Sequence, residues 1–449
     1  MNPVPSAELS RREFVKAAGV SAVGAAALAV PAASALGFPG FFARGSDAIK
    51  VGLVGCGGRG TGAAMQALAA DPGAILWSIG DVFEDRVNAS HSYLSTPSDD
   101  MPEEYTGRVR VEDRRFTGFD AYKQVIDSGA DVVLLCAYPC FRPAHLAYAV
   151  EKGKHVFAEK PVAVDAPGIR SVLESARRAR ERNLACLVGF CWRYNASMRE
   201  AFKHVLGGTI GDITSVHTTY HSGTLTRHPR KPGWTDLEFQ MRNWWHFNWI
   251  SGDHIVEQAV HSVDRLAWAM RDVMPRSVQC LGGRAARSGP EHGDVFDHFS
   301  AIYDYADGTR CFHSCRQIDG CPSDNRDYVF GTKGNAIIDG WSGQSPMKAR
   351  DGSVLWEGKG TSADVGRMYF DEHRELFASI RAGKVINDCE QATNSVMMAI
   401  MARMAAYTGQ TITWEKALHS TQSLVPEALS FDRPAPEVVV AIPGQTKFT

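Results

Sequence analysis

Ile49-Lys50-Val51-Gly52-Leu53-Val54-Gly55-Cys56-Gly57-Gly58-Arg59-Gly60 begins as an apolar run, breaks into glycines at 55, 57, 58 and 60, and opens an Ala-rich stretch of helical spacing. This is Gly-x-Gly-x-x-Gly between a strand and a helix, the setting in which the motif has mechanical meaning. The glycines permit a tight turn and a close approach of backbone to a pyrophosphate. The helix N-terminus then offers free N–H groups and a positive dipole end to that anion. Gly55, Cys56, Gly57, Gly58, Arg59 and Gly60 are therefore the expected cradle of a dinucleotide.

Outward from the loop, a helix runs through Met65 and Leu68 to the turn signal Asp71-Pro72-Gly73, and Ala74 to Ile79 reads as a buried strand ending at Gly80-Asp81. Asp81 stands 21 residues past Gly60, where a carboxylate accepts hydrogen bonds from the adenine-ribose hydroxyls and repels a 2′-phosphate. NAD is expected over NADP; Arg59 and Arg86 weigh the other way, since either can reach a phosphate. Asp131 to Ala137 and His155 to Ala158 are further continuous apolar strands, with a helix from Pro143 to Lys152 between them. Strand and helix alternate, so the fold class is α/β, with a doubly wound parallel (Rossmann) sheet over residues 48–162.

The pattern then changes. A basic amphipathic helix (167–182), a strand (184–191), a helix (197–206) and a strand (213–221) lead into an aromatic region and a helix over 255–270. Several β-runs with polar turns fill 273–339, and helices are expected at 369–381 and 391–407. This composition suits a C-terminal α+β domain over 163–415 with an open, largely antiparallel sheet, followed by an extended Pro-rich tail over 416–449.

With 449 residues the chain is long enough for two domains with cores, and a net charge of −2 gives no reason to expect nucleic acid or an anionic membrane as partner. The ten cysteines are scattered, several inside apolar runs, and read as buried hydrophobes. Cys311, His313 and Cys315 share one face of a strand but lack a fourth ligand, and His217 and His221 are no better placed, so no metal is expected. Residues 1–36 read as a cleaved export signal rather than a membrane anchor. Ser10-Arg11-Arg12-Glu13-Phe14-Val15-Lys16 has the twin-arginine pattern, and a weakly hydrophobic run leads to Ala33-Ser34-Ala35. A periplasmic or other extracytoplasmic destination follows, with the nucleotide loaded before export.

Glu159-Lys160-Pro161 directly follows a buried strand about 100 residues after the glycine loop. With a dinucleotide fold before it and an open-sheet domain after it, the chain over 48–415 resembles the Gfo/Idh/MocA family of glucose-fructose oxidoreductases, inositol dehydrogenases and related sugar enzymes. The resemblance implies that Lys160 sits beside the nicotinamide and contacts a substrate hydroxyl, where its charge stabilises a developing oxyanion. It also places Glu159, Pro139 and His145 at the cofactor, and Arg193-Tyr194 matches an Arg-Tyr of the family, expected at the substrate together with Asp264. Glu257, His261 and Asp264 are spaced to share one helical face, where a carboxylate can orient an imidazole for proton transfer. The family motif there is Asp-x-x-x-His, which implies His261 as acid/base and Glu257 in place of the aspartate. Trp244 and Trp245 offer indole faces for the C–H face of a sugar.

Three functions follow as expectations. The first is an NAD-dependent oxidoreductase acting on a sugar, cyclitol or related polyol, with the cofactor held tightly. The second is an NAD-dependent glycoside-cleaving enzyme that oxidises a ring carbon transiently, eliminates the aglycone and returns the hydride. The third is a non-catalytic sugar-binding protein, against which Lys160 together with His261 argues. The resemblance further implies a homo-oligomer.

Overall fold

The structure is a computed structural model that describes residues 48–449; the twin-arginine stretch and Ala33-Ser34-Ala35 lie outside the described residues. Short apolar runs form strands buried on both faces, flanked by an exposed edge strand, Arg115–Thr117. They are β1 (Ile49–Val54), β2 (Ala74–Asp81), β3 (Arg115–Thr117), β4 (Val132–Leu135), β5 (His155–Ala158) and β6 (Cys186–Val188). They pair in parallel in the order β3-β2-β1-β4-β5-β6. The order reverses between β1 and β4, and the crevice beyond the carboxyl ends of these strands is where such sheets take ligands.

This sheet continues past the expected boundary at 162. The helix Ala166–Glu181 crosses over and returns the chain as β6 beside β5. The strand expected over 184–191 contracts to Cys186–Val188, because Cys191–Tyr194 curls into a 3-10 turn.

The second sheet contains β7 (Ile213–Ser222), β8 (Ser277–Gly283), β9 (His298–Asp304), β10 (Arg310–Gln317) and β11 (Asp327–Gly331). It is completed by β12 (Gly334–Ile338), β13 (Met347–Ala349), β14 (Val354–Trp356) and β15 (Ile412–Thr413), in the order β14-β13-β12-β11-β7-β10-β9-β8-β15. Only β7 and β10 pair in parallel, so the sheet is largely antiparallel as expected. The Met/Ala-rich helix Cys389–Thr408 has apolar residues all round and is buried all round, packed on β8 and the helices Ala166–Glu181 and Val260–Ala269. Among the described residues no helix is long and apolar enough to cross a membrane.

Two later segments stitch the domains together. The helix Ala363–Arg381 returns to the first domain, burying Leu376 and Phe377 in its core and pairing Arg381 with Asp71. The tail is not a free arm: Leu424, Val425, Leu429 and Phe431 pack on a cluster that joins Phe83 and Tyr138 of the first domain to Leu237 and Trp249 of the second. Its apolar side chains find the groove where the domains meet, and Gln240 Nε2 donates to Pro436 O at 3.0 Å.

Candidate active site at the domain junction

The glycine loop floors a cleft of about 650 Å³ between the domains. Gly55 has a φ of +99°, and a Cβ there would lie 2.3 Å from Ala137 N; at Gly60 it would lie 1.8 Å from Gly55 O. These two positions close the turn, and no other residue fits them. At Gly57 a Cβ would find only Arg86 Nη1, at 3.9 Å, so the backbone faces open space. The helix Gly58–Ala70 starts there without a side-chain cap, leaving its first N–H groups for a ligand. The loop fits a dinucleotide phosphate. Asp81, buried at the end of β2, lines the cleft and accepts from Cys56 N at 2.7 Å and Phe83 N at 3.0 Å.

Arg59 differs from expectation. Its side chain turns inward to pair with Glu159 and, at 3.4 Å, with Glu372, so its charge is consumed and does not face a phosphate. Glu159 is itself buried and accepts from Lys160 N at 3.2 Å, so it braces the backbone of the lysine. Pro139 and His145 line the cleft. His145 stacks on Tyr122 at 4.0 Å, and burial together with Arg142 pushes its pKa down to about 3, making it a neutral wall.

Lys160 leaves the end of β5 and crosses to the second domain, where Nζ donates to Glu257 Oε1 at 2.9 Å and to Glu257 O at 2.5 Å. Glu257 ends a short helix, His254–Glu257, that is separate from Val260–Ala269. The expected continuous helix over 255–270 is therefore broken. Asp253 anchors the start of the short helix: at a φ of +74° it still accepts from Phe296 N at 2.8 Å and Tyr407 Oη at 2.6 Å, bonds that offset the strained backbone.

Glu257 consequently sits on a different helix from His261 and Asp264. Glu257 and His261 line the cleft, whereas Asp264 is fully buried behind it, bound by Arg193 Nε at 2.8 Å and Ser395 Oγ at 2.8 Å. Arg193 is held between Asp264 and Asp272, and Tyr194 Oη donates to Asp388 at 3.1 Å. The expectation of Arg193, Tyr194 and Asp264 as substrate residues is corrected: they lock the β6 turn to the second domain.

His261 is neutral. Burial, with Lys160 and Arg265 adding repulsion, pushes its pKa well below the ordinary imidazole value. Its Nδ1, Glu257 Oε2 and Trp245 Nε1 are buried and have no hydrogen-bond partner, and all three residues line the cleft. Buried polar atoms are rarely left unpaired, and three around one cleft form a set that hydroxyl groups would satisfy. Trp244 and Trp245 also line the cleft.

Trp192, Tyr220, Asn325 and Trp341 also line the cleft and were not anticipated. Trp192 is the neighbour of Arg193, so the local signal was present but assigned to the wrong residue. Trp341 comes from the turn after β12, meeting Trp192 edge-on at 5.3 Å, and no local pattern marks it. Cys311, Cys315 and His313 are core residues, the last bonded to Thr218, and no group of three or more metal-ligating side chains stands together among the described residues.

The profile described as an oxidoreductase family with an NAD-binding Rossmann fold matches residues 49–190, and that of the GFO/IDH/MocA C-terminal domain matches 198–337. A glycosyl hydrolase family 109 protein of Shewanella pealeana is 25% identical over 224 residues, 47% of this chain and 46% of that protein. An inositol 2-dehydrogenase of Cereibacter sphaeroides is 24% identical over 272 residues, 60% of this chain and 68% of that protein. The chain spans about half the length of several such relatives. A solved levoglucosan dehydrogenase, in complex with NADH and levoglucosan, shares the fold with a TM-score of 0.62 at 17% identity, over 81% of this chain and 99% of that one.

Proposed function

The chain belongs to the Gfo/Idh/MocA oxidoreductase family, and on that premise we propose that it oxidises a secondary hydroxyl of a sugar, cyclitol or related polyol, using NAD held in the cleft. The observation that carries this reading is the meeting of Lys160, Glu257 and neutral His261 in the one cleft that the glycine loop floors. When bound, the nicotinamide supplies the hydride acceptor. His261 takes the proton of the hydroxyl, for which its neutral state is required. Lys160, held in place by Glu257, faces the oxygen on which charge builds and stabilises it in a water-poor site. The walls of Trp192, Trp245 and Trp341 suit the C–H face of a ring. Asp81 supports NAD over NADP, because the carboxylate would repel a 2′-phosphate and Arg59 is not free to neutralise one. The twin-arginine stretch supports export with the cofactor already aboard.

A second reading is favoured by the relative named as a glycosyl hydrolase of family 109: the same residues serve glycoside cleavage by transient oxidation and elimination. One experiment separates the two. The purified protein is incubated with sugars, cyclitols and aryl glycosides, without added nucleotide. NADH forming in proportion to enzyme, with no aglycone, supports the dehydrogenase; repeated aglycone release without net NADH supports the glycosidase. Neither outcome with any compound refutes both.

A further inference from the structure

A dinucleotide brings two negative charges on its pyrophosphate, and the glycine loop meets them with N–H groups alone. The loop's own arginine, Arg59, is consumed by Glu159 and Glu372. Any full positive charge beside the pyrophosphate therefore comes from elsewhere on the cleft wall. One source is Arg86, whose Nη1 is the nearest atom to the open side of Gly57. It also lies beside Asp81 and Asp85, which spend part of its charge.

The other source is the second domain. Between β7 and the helix Asp236–Arg242 the chain runs through Arg227-His228-Pro229-Arg230-Lys231-Pro232-Gly233-Trp234, and His228, Lys231 and Trp234 line the same cleft as the glycine loop. Two of the loop's cations are spent locally, Arg227 on Glu291 and Arg230 on Asp236. Lys231 has no carboxylate partner among the described residues; Nζ lies over the Trp234 ring at 5.6 Å. The loop is tied down: His228 N donates to Asn243 Oδ1 at 2.7 Å, and Asn243 Nδ2 returns a bond to His228 O at 3.1 Å. It is also bolted to the first domain. Arg242 grips Asp85 with two bonds, at 2.7 and 2.9 Å, and lies 3.8 Å over Phe83, two residues past Asp81. Behind this wall Phe431 of the tail packs on Phe83 and on Phe119, itself a cleft residue. Burial first, then Arg86, Lys231 and Arg242, lowers the pKa of His228; Arg242 is paired with Asp85 and Arg86 lies beside Asp81 and Asp85, which leaves Lys231 as the cation of this group with no carboxylate partner among the described residues.

We infer that this loop is a second cofactor-binding element, in which Lys231, with His228, takes the phosphates of the dinucleotide from the side opposite the glycine loop. The inference rests on the dinucleotide reading above and adds a consequence. A cofactor gripped by both domains leaves only when the junction opens, so it stays bound between turnovers.

The test follows release of bound NADH by its fluorescence after dilution into excess unlabelled NAD, with ADP-ribose and adenosine as competing probes. Wild-type protein releases NADH slowly. His228→Ala/Lys231→Ala releases it at least about tenfold faster, the equivalent of about 1.4 kcal/mol. Lys231→Arg keeps slow release. Affinity for ADP-ribose falls in the double variant while that for adenosine, which has no phosphate, does not. Equal NADH release from wild type and the double variant overturns the clamp and leaves the dinucleotide reading intact. Equal loss of adenosine binding also overturns it, since the loop would then be only a wall. A wild-type protein that binds no dinucleotide overturns both.

Discussion

The Lys160–Glu257 pair allows a mutant cycle whose stability and turnover effects point in different directions. The two side chains are 13% and 9% exposed and meet at 2.9 Å, so each ion depends on the other. Lys160→Met strands a carboxylate whose second oxygen already lacks a partner. Breaking a buried pair in this way costs roughly 3–5 kcal/mol, and the residual exposure places this one near the lower end, about 3. Glu257→Gln is milder, about 1 kcal/mol, because the ammonium keeps the carbonyl oxygen of residue 257 and an amide oxygen in place of the carboxylate. In Lys160→Met/Glu257→Gln no charge is stranded, so the double variant is about 2 kcal/mol more stable than Lys160→Met alone. Turnover does not recover with it: without the cation, both variants carrying methionine lose roughly 10²–10³-fold in kcat. Urea midpoints report the stability, and turnover of whichever substrate the compound panel identifies reports the chemistry. Bound NADH is quantified in each variant to separate lost chemistry from lost cofactor. A double variant as unstable as the sum of the singles refutes the pair. Full turnover by Lys160→Met refutes the role of the lysine.

Two further outcomes follow from the same site and its surroundings. Asp81→Ala should weaken NAD binding and narrow discrimination against NADP; because Asp81 also holds Cys56 N, some loss of affinity for both is expected, and an unaltered NAD/NADP ratio would contradict the ribose role. Stability should fall steeply on mild acidification. Desolvation pushes His145, His246, His313 and His373 down to about 3, so below pH 6.5 the unfolded chain takes up protons that the folded one refuses. Each loses roughly 2 kcal/mol of stability between pH 7 and 5. Burial raises Asp294 and Asp388 to about 6, and their protonation in the fold returns roughly 1.4 kcal/mol each over the same range, offsetting only part of the loss from the four imidazoles. Denaturation midpoints that stay level between pH 7 and 5 would show that these imidazoles do protonate in the fold.

The parts of the molecule legible in the sequence are those whose physics is local. Gly55 and Gly60 announce the turn because no side chain fits there, whatever surrounds it, and Asp81 follows at the distance that one strand–helix–strand unit dictates. The helix carrying Glu257 and His261 was misread for the opposite reason. The first of its two pieces is anchored by Asp253 bonding to Phe296 and Tyr407, residues 43 and 154 positions away, which no window of sequence contains. Trp341 was invisible on the same ground, as it reaches Trp192 only once two domains have folded. The break also changes what the glutamate means. On one continuous face, Glu257 reads as the carboxylate that orients His261, and its extra methylene relative to aspartate is a puzzle. In the broken geometry Glu257 binds Lys160, and among the described residues no carboxylate bonds to His261. The imidazole at this site is thus kept neutral chiefly by burial, with Lys160 and Arg265 adding to it, and the carboxylate serves the lysine.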